Sequence, residues 1–256
     1  MASRWRRGHE RGLSLPRPGA VDGYASTEPA HRPGGNLNQR ERGIQVTAFA
    51  GWSTELATFF TGLEQDNSPG YLDACRDLYR RAVLEPTRTL AAELEHKYGK
   101  AHIFRLRKDA RFADGRHPYH THLGVQFAGN GTHHYLSVSA RELIASVGVV
   151  RARGAWLSRF RAAAAGPAGA RLLTIISALE AEGFTVSGET LKKAPRGYPQ
   201  SHPHIALLRR TGLAATWRWP ASLWLGNPGA AGLITGAWER AAPLSGWLRR
   251  FAPLED

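Results

Sequence analysis

Between Ala101 and Val150 two runs, Ala101–Arg107 and Thr121–Ala128, alternate along the chain, whereas in stretches on both sides of that window apolar residues recur every three or four. A chain that changes period in this way must build strands in its middle and helices at its ends. Ala101–Arg107 alternates, with Ile103 in register with Arg105 and Arg107 while His102, Phe104 and Leu106 face the other way. Thr121–Ala128 alternates again through Leu123, Val125 and Phe127. Gly129-Asn130-Gly131 is a hairpin turn, because Gly and Asn tolerate positive φ. His134–Val138 and Leu143–Val150 complete an antiparallel meander. Helices, then a run of strands, then helices predict an α+β fold rather than a doubly wound sheet.

The flanks are read in the same way. Ser53 or Thr54 caps a helix in which Leu56, Phe59, Phe60 and Leu63 share a face. A turn at 66–70 leads to a second helix carrying Leu72, Cys75, Leu78, Tyr79 and Val83. Pro86 ends or kinks that helix, since proline lacks the amide proton of an interior position. A further helix spans Thr87–His96. Beyond the strands come helices over Ala155–Ala165, Arg171–Glu182, Gly232–Ala242 and Leu244–Phe251. A loop-rich stretch lies at Gly188–Pro203, and Leu213–Trp219 is extended.

Residues 1–45 carry no apolar period and are broken by four prolines, so they read as a disordered basic leader; residues 46–256 read as a single domain. Glu41-Arg42-Gly43 can be encoded as a bacterial ribosome-binding sequence a short distance before Val46, which a GTG start codon can encode. The leader is therefore expected to be an over-extended start.

The net charge is +13, of which +4 falls in the first 45 residues. Such a field favours anionic partners, whether phosphorylated metabolites, acidic surfaces or nucleic acid. One cysteine, Cys75, rules out an internal disulfide framework and a cysteine-only metal site. That, with no run approaching the ~18 apolar residues of a membrane span, predicts a soluble cytoplasmic protein with no membrane partner. Phosphate loops, dinucleotide fingerprints and nucleophile elbows do not occur in the sequence. His120-x-His122 places two imidazoles on one strand face, but a zinc or iron centre also wants a carboxylate or third histidine, so neither a metal nor a cofactor is predicted.

The densest chemistry lies in Phe104–Leu123. Arg105, Arg107, Lys108, Arg111 and Arg116 put five cations within twelve residues around Asp109, followed by Tyr119 and His122. In an extended chain Arg105, Arg107, Asp109 and Arg111 project from one face. Guanidinium groups there can grip carboxylate or phosphate through paired hydrogen bonds, with Asp109 as the counter-charge that orients them. A solvated sheet edge with weak surface ion pairs is the plain alternative.

Arg105-x-x-Lys108-Asp109-x-Arg111-Phe112, then Arg116-x-Pro118-Tyr119 and Thr121-His122-x-Gly124, resembles the signature of the domain-of-unknown-function family 2461. The opening helix to Leu63 and Asn67, the helix with Tyr79 leading to Pro86, and Leu191–Tyr198 with His202-Pro203 are also similar to that family. The resemblance spans about Phe49 to Phe251. It implies a mostly bacterial, single-domain α+β protein with no assigned activity, and it draws attention to Arg105, Asp109, Arg111, Tyr119, His122 and His202. This sequence departs from the family pattern at several positions. Lys108 stands for an arginine, Gly115 for Asp or Asn, Arg116 for a lysine, Gly70-Tyr71 for Trp-Phe, and Ser201 for the Asp before His202. These changes imply an altered site.

The resulting expectation is a pocket for an anionic small molecule where Arg105–Tyr119 meets the Pro195–His202 loop. Arg105, Lys108, Asp109, Arg111, Arg116 and His202 bind, and Tyr119 and His122 move protons if a reaction follows. The alternative is a non-catalytic basic module that binds nucleic acid or a protein partner. Oligomeric state is left open. For the leader, the gene sequence is decisive: AGG is expected at Arg42, and a CGN codon there removes the start-site reading.

Overall fold

The computed structural model describes residues 48–109, 117–129 and 131–254. The leader expectation for residues 1–45, and the residues Arg111, Arg116 and Asn130, lie outside them. Val46–Asp256 form one compact unit.

Six strands make one antiparallel sheet in the order β1-β2-β3-β4-β6-β5: β1 (Lys100–Ile103), β2 (His122–Gly129), β3 (Thr132–Ser139), β4 (Glu142–Val149), β5 (Thr185–Ser187) and β6 (Leu213–Pro220). The meander is β1 to β4, and β6 returns after a long helical excursion to pair with β4. The fold is α+β, as the periodicity predicts.

Strand alternation divides the sheet into two unlike faces. One cross-strand row reads Ile103, Val125, Leu136, Ala145 and Trp217, and the row beside it Ala101, Phe127, His134, Val147, Ala215 and Val186. Helices cover this face. Tyr98 of α4 (Glu85–Tyr98) and Trp238 of α8 (Ala230–Arg240) pack against His134, and Trp238 also meets Phe127. The opposite face carries His102, Gln126, Tyr135, Ser146 and Thr216 in one row, with Ser146 and Thr216 joined by a 2.8 Å hydroxyl hydrogen bond.

Before the sheet the chain runs through α1 (Glu55–Gln65), α2 (Pro69–Ala74) and α3 (Arg76–Tyr79). Leu56, Phe59, Phe60 and Leu63 are fully buried on one stripe of α1. The expected side-chain cap on α1 is not made: Thr54 occupies the cap position without a side-chain hydrogen bond. Ser68 instead caps α2, accepting from the Tyr71 amide with Pro69 at the first turn.

Pro86 does not end the helical path. A π turn at Arg80–Leu84 joins α3 to α4, and Pro86 falls at the second residue of α4. The wider winding of the π turn just before it lets the path run on through the proline. After β4 come α5 (Ala155–Ala165) and α6 (Pro167–Ala181), bent by 93° from each other, then α7 (Ile205–Leu208), α8 and α9 (Ala242–Phe251). Trp219, Trp224, Trp238 and Trp247 are buried. Trp217 lies half-buried with the Arg240 guanidinium 4.3 Å above its ring. Among the described residues no single helix is long and apolar enough to cross a membrane.

Gly124, in the motif segment, has a packing reason. A Cβ added there would sit 2.6 Å from the Tyr135 hydroxyl and 3.0 Å from its ring, and Tyr135 is buried. Gly124→Ala is therefore expected to cost about 1–3 kcal/mol by overpacking. Tyr135→Phe in the same chain, which removes the nearest atom, should recover part of it. Urea unfolding of the two single variants and the double variant measures the coupling.

Candidate functional site

Beyond β1 the chain leaves the sheet. Phe104 still donates its amide to the Gly124 carbonyl, after which the chain bends at Leu106. A second, narrower pairing follows. Arg107 bridges Tyr119, the Lys108 amide donates to the Pro118 carbonyl, and the His120 amide donates to the Leu106 carbonyl. Leu106–Lys108 and Pro118–His120 thus form a two-stranded arm, with the segment 110–116 between its ends outside the described residues.

The arm is fastened by one side chain. Asn67, buried just after α1, accepts the Tyr119 amide at 2.8 Å through Oδ1. Its Nδ2 donates to the Tyr119 carbonyl at 3.2 Å and to the Leu63 carbonyl at 3.3 Å. The Asn67 amide therefore satisfies both backbone groups of Tyr119, as a neighbouring strand would.

Between the arm and the helices opens a groove of about 470 Å³. The helical wall supplies Leu72, Tyr79, Leu84 and Arg88; the strand wall supplies Ile103 through Arg107 and Tyr119. The π turn shapes the helical wall. Its wider winding lets Tyr79 and Leu84, five residues apart, face the same groove, which a regular helix at 3.6 residues per turn would not allow. Burial lowers the acidity of the Tyr79 hydroxyl, raising its pKa above the ordinary value, and the Arg88 guanidinium partly offsets this.

Depth in the groove sorts the residues by polarity. Leu106 and Tyr119 are buried, and Leu72, Tyr79, Leu84, Ile103 and Phe104 are half-buried. Arg88, Arg105 and Arg107 are exposed at the rim. Among the described residues none of these three arginines makes a side-chain hydrogen bond or an ion pair. Other surface arginines do find carboxylates, as in Arg80–Glu85, Arg141–Glu64 and Arg218–Glu142.

Of the residues singled out by the sequence, Arg105 and Tyr119 meet in this groove. Asp109 is exposed on the arm and is not part of the described lining. Lys108 and His122 belong to a second grouping with His120. The His120 and His122 rings lie 5.2 Å apart. Burial, then the His120 and Lys108 charges, drops the His122 pKa to about 4; burial and Lys108 lower that of His120. Lys108, His120 and His122 gather on the sheet's polar side, where Tyr135 lies over Gly124. Burial raises the Tyr135 hydroxyl to about 12.

His202 lies elsewhere. Its ring neighbours are Tyr198 at 6.3 Å and His204 at 5.7 Å, and His204 bonds through Nδ1 to the Ala164 carbonyl at the end of α5. Its loop follows β5, at the edge of the sheet opposite β1, roughly 24 Å across at ~4.8 Å per strand. The strand order thus separates the two segments that the expected pocket joins. Arg111 and Arg116 lie outside the described residues. Tyr79, Leu84 and Arg88 are groove residues that the sequence does not mark as a site; the π turn breaks the helical period that would have aligned them. Among the described residues no group of three or more His, Cys, Asp or Glu is placed to hold a metal ion.

Residues 55–247 match the model of the family described as "Conserved hypothetical protein (DUF2461)". The chain belongs to that family. A comparison with curated proteins finds no match. Within this DUF2461 chain, the matched span covers the groove, the arm and the His202 loop alike.

Two histidines set a pH dependence. His122 and His134 both have native pKa values near 4, below the ordinary 6.5, because burial disfavours their charged forms. His134 also faces the Arg249 and His133 charges. Above pH 6.5 both states carry neutral imidazoles and nothing is lost. As pH falls from 6.5 to about 4 the unfolded chain takes up protons that the native one does not, so stability falls by up to one proton's linkage per residue. The urea midpoint should decline over that window, and His134→Phe should flatten the decline.

Proposed function

We propose that this DUF2461 protein binds an anionic small molecule in the groove between the arm and the α2–α4 wall. The observation that carries the reading is the convergence of Arg88, Arg105 and Arg107 on one groove, without carboxylate partners among the described residues. Guanidinium groups from two walls can approach one anion from different directions with charge-assisted hydrogen bonds. The groove's volume lies within the roughly 300–1,000 Å³ of small-molecule sites.

Asp109, Lys108, His122 and His202 have no part in the anion grip on this reading. Tyr119, which lines the groove, is the residue best placed to donate a proton to a bound ligand, whether or not a bond is then broken. The basic-module reading draws on the net charge alone.

A thermal-shift screen of phosphorylated and carboxylated metabolites tests this. Saturable stabilisation by one or more of them is expected, with the response lost in Arg105→Gln and Arg88→Gln while the unliganded melting temperature is unchanged. Both side chains are exposed, so neither change should disturb folding. A salt-dependent shift with generic RNA or DNA, and none with any metabolite, would reverse the assignment in favour of a nucleic-acid module.

A further inference from the structure

We infer that the ligand is a phosphate monoester carrying an apolar body, with the body directed inward and the phosphate held at the rim; this rests on the groove being an anion site. The inward direction follows from how burial differs along the lining. Leu72, Leu84 and Ile103 are half-buried and line the groove together with the buried Leu106 and Tyr119. An inorganic anion would leave these apolar surfaces in contact with water. A body of aryl or short alkyl character covers them and gains the transfer free energy of its own surface as well.

The headgroup follows from number and placement at the rim. A carboxylate offers two coplanar oxygens, which a single guanidinium fork satisfies. Three guanidiniums stand here, Arg88 on the helical wall and Arg105 and Arg107 on the strand wall. A tetrahedral phosphate presents three terminal oxygens in different directions and close to two negative charges, so it can engage both walls at once. Arg105 and Arg107 both line the strand wall and can act as a pair against Arg88. Tyr79 and Tyr119 add hydroxyl donors and aromatic edges between rim and floor.

Isothermal titration at fixed ionic strength, with inorganic phosphate, phenyl phosphate, hexyl phosphate and benzoate, reads this directly. Phenyl or hexyl phosphate is expected to bind at least roughly tenfold more tightly than inorganic phosphate, from burial of the body. Benzoate is expected to bind roughly tenfold more weakly than phenyl phosphate. Leu72→Gln, a half-buried position on a short helix, should narrow the ratio between phenyl phosphate and inorganic phosphate affinities to within about twofold. Equal affinities for inorganic and phenyl phosphate, or benzoate matching phenyl phosphate, would overturn the substrate class while leaving an anion groove in place. An absence of heat with every anion, together with no thermal shift in the metabolite screen, would remove the groove reading itself.

Discussion

The side-chain amide of Asn67 sets where the arm can lie. It pairs with both backbone groups of Tyr119 and with the Leu63 carbonyl, so the end of α1 and the returning strand of the arm are held at one point. All three partners are backbone atoms, and the residue is buried, so the geometry leaves little freedom to slip by a position. The arm's other strand then follows through the Arg107–Tyr119 bridge. Without that clamp, the arm would be a two-stranded ribbon beyond the sheet edge, a unit that is marginal on its own. The groove exists because the clamp holds the arm at a fixed distance from α2, α3 and the π turn.

From that fixed point, alternation along the arm distributes the chemistry. Arg107 and Tyr119, paired across the arm, line the groove with Arg105, and Lys108, His120 and His122 gather on the side of the polar face. The two sides are electrostatically different. On the first, exposed arginines stand above apolar surface with no carboxylate partner among the described residues. On the second, burial and a neighbouring lysine lower the pKa of both imidazoles, that of His122 to about 4. A segment that looks like one dense cluster in the sequence is two environments in space, separated by the thickness of a strand.

Much of the fold was legible because it is dictated locally. The stripe Leu56, Phe59, Phe60, Leu63 and the alternation Leu123, Val125, Phe127 each fix an element and its buried face without reference to the rest of the chain. The pairing of β4 with β6 was not legible, because more than sixty residues of helix and loop intervene and no local signal fixes the partner. The same limit governed the site. Arg105 and Tyr119 were found because they sit in one motif, whereas Arg88 is brought to them only by tertiary packing. No local signal links the motif to the His202 loop, which follows the strand at the far edge of the sheet.

The π turn illustrates why such sites resist reading from period alone. Five residues, Arg80–Leu84, wind more widely than the helices on either side, and Pro86 follows at the second residue of α4. In the sequence the proline looks like a stop, so the face carrying Tyr79 and the face carrying Arg88 are assigned to different helices. In the structure the path continues, and the widened turn rotates the second segment so that Tyr79, Leu84 and Arg88 line one wall. A regular helix would spread Tyr79 and Leu84 by about 140° at 100° per residue and leave the wall without one of its members. The cationic rim is complete only because a local departure from ideal winding and a side-chain clamp that joins residues 52 apart in sequence bring their two walls face to face.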